Sequence, residues 1–150
     1  MSEGSNNGNY DLNSKTNTFM ANCRESGLKI TPQRVAIFKI LAQSKEHPSV
    51  DMVYQQVKNE MPNISFDTVN RTLLSLCEIG TALVVEGSGR VKRFDANIEV
   101  HQHFNCIKCK KIVDFRHKPF DNIEVPDDIE RKFKILRKTV YLEGLCGRCK

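Results

Sequence analysis

The stretch that decides the fold is residues 49–80, which read SVDMVYQQVKNEMPNISFDTVNRTLLSLCEIG. Ser49 is a good helix N-cap, and the apolar residues after it recur on one helix face, as Val50, Val53, Tyr54, Val57 and Met61. A short turn at residues 62–64 precedes a second helix, which Ser65 caps and Gly80 ends. The inner face of this helix carries Val69, Leu73 and Leu76. Two helices joined by so tight a turn predict a helix-turn-helix.

The residues on either side extend this pair of helices into a winged helix. Upstream, one helix ends at Gly27, and the next begins at Thr31-Pro32, an N-cap followed by proline at the first helical position. Downstream, residues 81–85 and 91–94 are short β-rich runs around Gly87-Ser88-Gly89, which predicts a hairpin. The order predicts a winged helix-turn-helix domain over residues 18–95, although other small α+β domains could show it.

The remainder of the chain divides into a tail, a hinge and a second small domain. Residues 1–17 are rich in Asn, Ser, Gly and Thr, so we expect a disordered tail. Residues 96–100 form the predicted hinge, and residues 101–150 predict a small α/β domain. Its strand patterns cover residues 103–106, 111–115 and 134–142, and its helical pattern covers residues 126–133. The predicted fold class is α+β.

The bulk composition excludes some classes of protein. Hydrophobic residues make up 39% of the chain, and no apolar run approaches the roughly 18 residues that span a bilayer. The N-terminus shows no basic cluster followed by an apolar stretch, so we expect a cytoplasmic protein without a secretory signal. The net charge of +5 suits a nucleic-acid partner but is too modest to indicate one.

Four of the six cysteines form two Cys-x-x-Cys pairs, Cys106 with Cys109 and Cys146 with Cys149. Two such pairs supply the four sulfurs of a tetrahedral Zn²⁺ site, and the 36 residues between them leave room for a helix and a strand. The alternative is redox chemistry, but thioredoxin-type sites carry a single pair at a helix start. Cys23 and Cys77 stand alone in helical runs, which is typical of buried packing residues.

A second group of residues has the side chains of a metal site. His101 and His103 lie two apart just before the first cysteine pair, so both imidazoles face the same side of an extended segment. Asp95 follows the hairpin, Asp114 ends the next strand pattern, and His47 lies in a loop between helices. Taken singly, the last three are typical of solvated surface residues. Spacing alone does not unite the five.

Several motifs in one order give this chain a family resemblance. They are GLKITPQR at residues 27–34, His47-Pro48, the helix from Ser65 to Leu73, Arg93-Phe94-Asp95, His101-Gln102-His103 and the two cysteine pairs. Over residues 19–150 the chain resembles the ferric uptake regulator family of bacterial metal-dependent repressors. The resemblance implies a winged helix joined to a dimerisation domain, and a homodimer that binds a palindromic operator in double-stranded DNA.

The resemblance also implies two metal sites. Structural Zn(II) would be held by Cys106, Cys109, Cys146 and Cys149. A regulatory Fe(II) or Mn(II) would be held by His47, Asp95, His101, His103 and Asp114.

Details of these ligands resemble the peroxide-sensing members of the family. Asp95 and Asp114 stand where the iron sensors tend to carry Glu, and Gln102 interrupts the longer histidine run of those sensors. The resemblance implies that peroxide reacting with Fe(II) oxidises His47 and His101, after which the operator is released, whereas Mn(II) reacts little. An iron-responsive uptake repressor, which binds Fe(II) reversibly without histidine oxidation, is the alternative. Two Asp ligands are a hard set for a zinc-uptake regulator.

The recognition helix departs from the family pattern. Members usually read Thr-Val-Tyr, whereas this chain reads Thr68-Val69-Asn70-Arg71. We expect Asn70 and Arg71 to contact bases, because both side chains bind base edges well. Ser65 and Thr68 are better placed for phosphates at the helix N-terminus. On the wing, Arg90, Lys92 and Arg93 could add phosphate contacts or simply form a solvated face.

Two further classes of function compete with a repressor. A hydrolytic metal centre needs a general base near the ion. Beyond the proposed ligands the sequence offers no well-placed Glu or His except His117, so we predict that the chain is not an enzyme. A protein-interaction module with zinc and no sensor would bind one ion per chain rather than two.

Overall fold

The computed structural model describes residues 7–85 and 89–150, with side chains from residue 11 onward. These residues form two compact units, one of residues 7–85 with 90–98 and one of residue 89 with 99–150. Within the described ranges no helix is long and apolar enough to cross a membrane.

The first unit consists of four helices and a two-stranded hairpin. The helices are α1 (Asn7–Ser26), α2 (Pro32–Gln43), α3 (Val50–Glu60) and α4 (Phe66–Glu78). Strands β1 (Leu83–Val84) and β2 (Phe94–Asp95) pair antiparallel, with Leu83 opposite Asp95. This order confirms the predicted winged helix-turn-helix, with α3 and α4 as its central pair.

The predicted caps and apolar faces account for these helices. Thr31, Ser49 and Ser65 each accept a hydrogen bond from the backbone N–H three residues later, at 3.2, 3.3 and 3.1 Å. Gly80 has a φ of +75°, a left-handed conformation that suits glycine just after α4. The apolar faces of α3 and α4 are buried in one core, through Val53, Val57, Val69, Leu73 and Leu76.

The N-terminal helix corrects one prediction. Residues 7–17 lie in α1, although their composition predicts a disordered tail. Phe19 stacks on Phe38 with ring centroids 4.4 Å apart, and Cys23 is fully buried, so the second half of α1 is anchored to the core. An anchored helix gains one backbone hydrogen bond for each added residue, so it can extend through polar residues. The predicted tail residues 1–6 lie outside the described residues.

The paired part of the wing is shorter than predicted. Regular pairing covers two residues in each strand, rather than all of residues 81–85 and 91–94. Phe94 is fully buried whereas Val91 is 60% exposed, so the outer wing has no core to pack on. The turn residues 87–88 lie outside the described residues.

The second unit is a three-stranded sheet with two short helices. Central strand β3 (Gln102–Cys106) pairs antiparallel with β4 (Ile112–Phe115) and parallel with β5 (Tyr141–Gly144). Helices α5 (Lys118–Asp121) and α6 (Asp127–Lys132) lie between β4 and β5 along the chain. The α/β character is as predicted. The predicted strand at 134–142 was wrong over residues 134–140, because pairing with β3 begins only at Tyr141.

Candidate metal centres and nucleic-acid interface

The four paired cysteines lie together at one end of the β3 sheet. Their sulfur atoms are all within 4.8 Å of one another, and Cys109 Sγ is 3.7 Å from Cys146 Sγ. Zinc–sulfur bonds of about 2.3 Å in a tetrahedron put neighbouring sulfurs about 3.8 Å apart, whereas a disulfide needs about 2.05 Å. The donor set and its spacing therefore fit a Zn²⁺ ion and do not fit disulfide bonds.

The local electrostatics of this cluster also favour a cation. Hydrogen bonds from the backbone N–H groups of Cys109 and Cys146 lower the pKa of Cys106 to about 6. The pKa of Cys149 is raised to about 12, chiefly because its thiol is hydrogen-bonded to that of Cys146. Without a cation, four neighbouring thiols resist becoming four thiolates, whereas a coordinated metal deprotonates them outright.

A histidine and carboxylate cluster lies on the same sheet of the second unit. His103 on β3 is opposite Asp114 on β4, and His103 Nε2 is 3.1 Å from Asp114 Oδ1. His101 Nε2 lies 3.0 Å from His103 Nε2 and 3.8 Å from Asp114 Oδ1. The two-residue spacing of the histidines and the pairing of the strands bring these three side chains together.

A backbone carbonyl sets the tautomer of one of these histidines. His101 Nδ1 lies 2.6 Å from the carbonyl oxygen of Glu99, which can only accept a hydrogen bond. The neutral imidazole therefore carries its proton on Nδ1 and presents the lone pair of Nε2 to the cluster. Metal-binding histidines are commonly oriented in this way.

The first unit holds the other two predicted ligands side by side. His47 Nε2 lies 3.3 Å from Asp95 Oδ2, and both residues are buried. Asp95 ends β2, and its Oδ1 accepts a hydrogen bond from the backbone N–H of Asn97 at 2.8 Å. His47 lies in the loop between α2 and α3 with a φ of +52°, a left-handed conformation that is uncommon for residues other than glycine.

The donor spacing in both clusters fits a metal ion. Bonds of about 2.1 Å at right angles place neighbouring donor atoms about 3.0 Å apart. The closest donor pairs in the two clusters are 3.0, 3.1 and 3.3 Å apart. One cluster offers three donors and the other offers two.

Gln102 has a structural role on the opposite face of β3. Its side chain is buried, its amide donates to Asp121 Oδ1 at 3.0 Å, and its oxygen accepts from the backbone N–H of His117 at 2.8 Å. The hydrogen bond from Gln102, with a further one from Arg116, lowers the pKa of Asp121. Gln102 thus ties the strand that carries the histidines to the connection after β4.

The candidate DNA-contacting residues of α4 lie at its exposed N-terminal part. The Ser65 hydroxyl caps the helix and also lies 2.8 Å from the Thr68 hydroxyl. Arg71 is exposed and pairs with Asp67 at 2.9 Å, while Asn70 is half-buried. On the wing, Arg90 and Lys92 are exposed.

A basic depression beside α4 was missed by the sequence reasoning. It is lined from the α2 side by Lys29, Thr31, Gln33 and Arg34 and from the α4 side by Thr68, Arg71, Thr72 and Ser75. The sequence signal for this depression was the pair of basic residues in GLKITPQR, Lys29 and Arg34, which were not predicted to contact DNA. The depression extends the candidate phosphate-binding surface from α4 to the start of α2.

Arg93 differs from the other wing cations. Its guanidinium does not point to solvent as the sequence reasoning allowed, but donates to the backbone carbonyl oxygens of His47 and Glu46. Burial lowers its pKa, while the Glu46 carboxylate acts in the opposite direction. Contact with phosphate would require these hydrogen bonds to break.

A winged helix linked to a cysteine-clustered α/β domain, with histidine and carboxylate clusters in both units, defines a metal-dependent DNA-binding regulator. The model of the ferric uptake regulator family matches residues 25–143, and the chain belongs to this family. Members are transcriptional regulators and not enzymes, as predicted. The peroxide-responsive repressor PerR of Staphylococcus epidermidis is 35% identical over 131 residues, 87% of this chain and 87% of that protein.

Solved structures support the same assignment. The peroxide stress regulator of Campylobacter jejuni is 29% identical with a TM-score of 0.64, over 87% of this chain and 98% of that chain. The Helicobacter pylori ferric uptake regulator Fur has a TM-score of 0.70 over 92% of this chain and 93% of that chain, and at 23% identity it supports the fold alone.

Proposed function

We propose that this regulator is a peroxide-sensing repressor, in which one Fe(II) or Mn(II) ion takes ligands from both units. The observation that carries the proposal is the pair of incomplete donor sets. His47 with Asp95 and the trio of His101, His103 and Asp114 each have the spacing of metal ligands, and neither set alone fills a coordination sphere. Together they make three imidazoles and two carboxylates.

This donor set favours particular metals. Nitrogen and oxygen ligands without sulfur suit Fe(II) and Mn(II), and the all-sulfur set of Cys106, Cys109, Cys146 and Cys149 suits structural Zn(II). Five protein ligands would leave room for a sixth, small ligand such as peroxide. Each chain would then hold two ions, in contrast to a zinc-only interaction module.

Shared coordination would couple metal binding to DNA binding. His47 and Asp95 belong to the winged-helix unit, and the other three ligands belong to the second unit. An ion bound by all five restricts the two units relative to each other, and therefore the recognition helices of a dimer. Such couplings are typically about 1–3 kcal/mol. We propose that the protein acts in the cytoplasm, which is consistent with DNA as its partner.

A homodimer accounts for apolar surface in the second unit. Several large apolar side chains there are exposed, among them Phe133, Leu136, Tyr141, Leu142 and Leu145. β5 is also an edge strand, because the sheet order is β4-β3-β5. An apolar patch beside an open strand edge suits contact with a second copy. Two copies related by twofold symmetry would bind a palindromic operator.

The proposed peroxide response depends on the imidazole ligands that would surround the ion. Fe(II) held by these five residues would supply the redox chemistry that breaks the O–O bond of hydrogen peroxide. The ligand imidazoles carry the nearest oxidisable carbon atoms. One peroxide oxygen would enter a ring C–H bond, with the imidazole giving up the two electrons, and the other oxygen would leave as water. An oxidised His47 or His101 is a poorer ligand, so the ion is lost and the operator is released. The relationship to a peroxide-responsive repressor supports this choice over reversible iron sensing.

The test is mass spectrometry after oxidation. Protein purified without oxygen is loaded with Fe(II), treated with an equimolar pulse of hydrogen peroxide, digested and searched for one added oxygen. We expect the oxygen on His47 and His101, with loss of DNA binding, and neither change in a Mn(II)-loaded control. Unmodified histidines with intact DNA binding would instead favour the iron-responsive uptake repressor.

The DNA-contacting residues make a separate prediction. Asn70→Ala should weaken binding to a duplex selected from a random library by about 1–3 kcal/mol, roughly 5- to 150-fold, and leave binding to a scrambled duplex unchanged. Lys92→Ala should weaken both and lower the slope of log affinity against log salt by about one. Fluorescence anisotropy over a salt series measures both effects. Equal losses on the two duplexes for Asn70→Ala would contradict a base contact.

A further inference from the structure

The loop that carries His47 is docked onto the wing strand at several points. The backbone N–H of Phe94 donates to the carbonyl oxygen of Pro48 at 3.0 Å, and Ser49 forms an antiparallel bridge with Arg93. Arg93 adds two side-chain hydrogen bonds, through Nε to His47 and through its terminal nitrogen to Glu46. One guanidinium thus joins two successive carbonyl groups of the loop.

The conformation of His47 explains why the loop needs this support. A φ of +52° is a sparsely populated, strained conformation for a histidine, and it persists only where the surrounding contacts maintain it. The His47 side chain is buried against Asp95, so the backbone orientation decides where the imidazole points. The fork of a guanidinium is suited to hold two carbonyls in a fixed relation.

We propose that Arg93 is a positioning residue for the regulatory metal site. By holding the carbonyls of Glu46 and His47, it presets the His47 imidazole beside Asp95 before any ion binds. Arg93 is not a ligand, because a guanidinium remains protonated at neutral pH. Because Arg93 lies two residues before Asp95, the short stretch of residues 93–95 carries one metal ligand and orients another. This inference rests on the proposed five-ligand site.

The test compares four variants for metal affinity. Arg93→Gln removes the charge and both guanidinium hydrogen bonds, and Arg93→Lys keeps the charge but lacks the planar fork whose two nitrogens donate to the two carbonyls. Lys45→Gln, in the same loop and exposed, is the matched control for loss of a positive charge. His47→Ala defines loss of the site. Mn²⁺ titration followed by electron paramagnetic resonance measures affinity, and the visible absorption of bound Co²⁺ reports the coordination geometry.

We expect Arg93→Gln to weaken Mn²⁺ binding by about 10- to 100-fold and to change the Co²⁺ spectrum, while zinc content is unchanged. Arg93→Lys should recover part of the affinity, and Lys45→Gln should match the wild type. Thermal unfolding checks that each variant is folded. If Arg93→Gln does not fold, Arg93→Lys is the variant that is compared with the wild type. Wild-type affinity and spectrum in both Arg93 variants, with the site lost in His47→Ala, would overturn the positioning role alone. Wild-type affinity in His47→Ala would overturn the five-ligand site and this inference with it.

Discussion

Cys109→Ser is expected to abolish zinc binding and to unfold the second unit. The side chain of Cys109 is exposed, so serine removes a thiolate without removing core packing. A unit of this size cannot draw much stability from its own core, and structural zinc in small domains contributes about 10–16 kcal/mol of apparent binding free energy at neutral pH. The binding free energy lost with the ion therefore exceeds the folding stability that the β3 sheet can supply.

Two measurements test this outcome: inductively coupled plasma mass spectrometry for the zinc content, and amide hydrogen exchange for the folding of the second unit. Exchange should become fast across residues 99–150 and remain slow in α2, α3 and α4, whose core contains none of the four paired cysteines. Cys77→Ser is the matched control, because Cys77 lies in α4 and should leave zinc content unchanged. Stoichiometric zinc and a protected second unit in Cys109→Ser would contradict the four-sulfur site.

His47→Ala is expected to make DNA binding independent of the regulatory metal. The variant removes one of only two ligands that the winged-helix unit contributes, so an ion bound by the second unit no longer connects the two. Affinity for the selected duplex should fall by about 5- to 150-fold in the presence of Mn²⁺, to the value measured without it. Zinc content and dimerisation should not change.

Anisotropy with and without Mn²⁺ measures this coupling, and sedimentation checks the dimer. His117→Ala is the matched control, since His117 is exposed and lies on the far side of Gln102 from the clustered histidines. It should retain full metal dependence. A His47→Ala protein that still binds DNA only with Mn²⁺ would rule out a shared five-ligand ion.

Much of the metal chemistry is predictable from short spacings. Cys-x-x-Cys pairs and His-x-His place donors on the same turn or the same strand face, so neighbouring residues suffice to predict them. His47 and Asp95 are different, because they are 48 positions apart and look like ordinary surface residues in the sequence. They were proposed through the family resemblance, and their 3.3 Å separation arises from the docking of a loop on β2.

Local signals were sufficient to predict α2, α3 and α4 and the presence of the wing hairpin. Hydroxyl caps, a glycine stop and apolar residues at helical spacing act within a few positions, and so they are visible in residues 49–80. They do not reach the contacts that decided α1, the irregular segment 134–140 and the direction of Arg93. Phe19 orders α1 by stacking on another helix, and Arg93 turns inward because two carbonyls of a distant loop accept its hydrogen bonds. These outcomes depend on which groups become neighbours when the chain folds, because burial and long-range hydrogen bonds outweigh local preference.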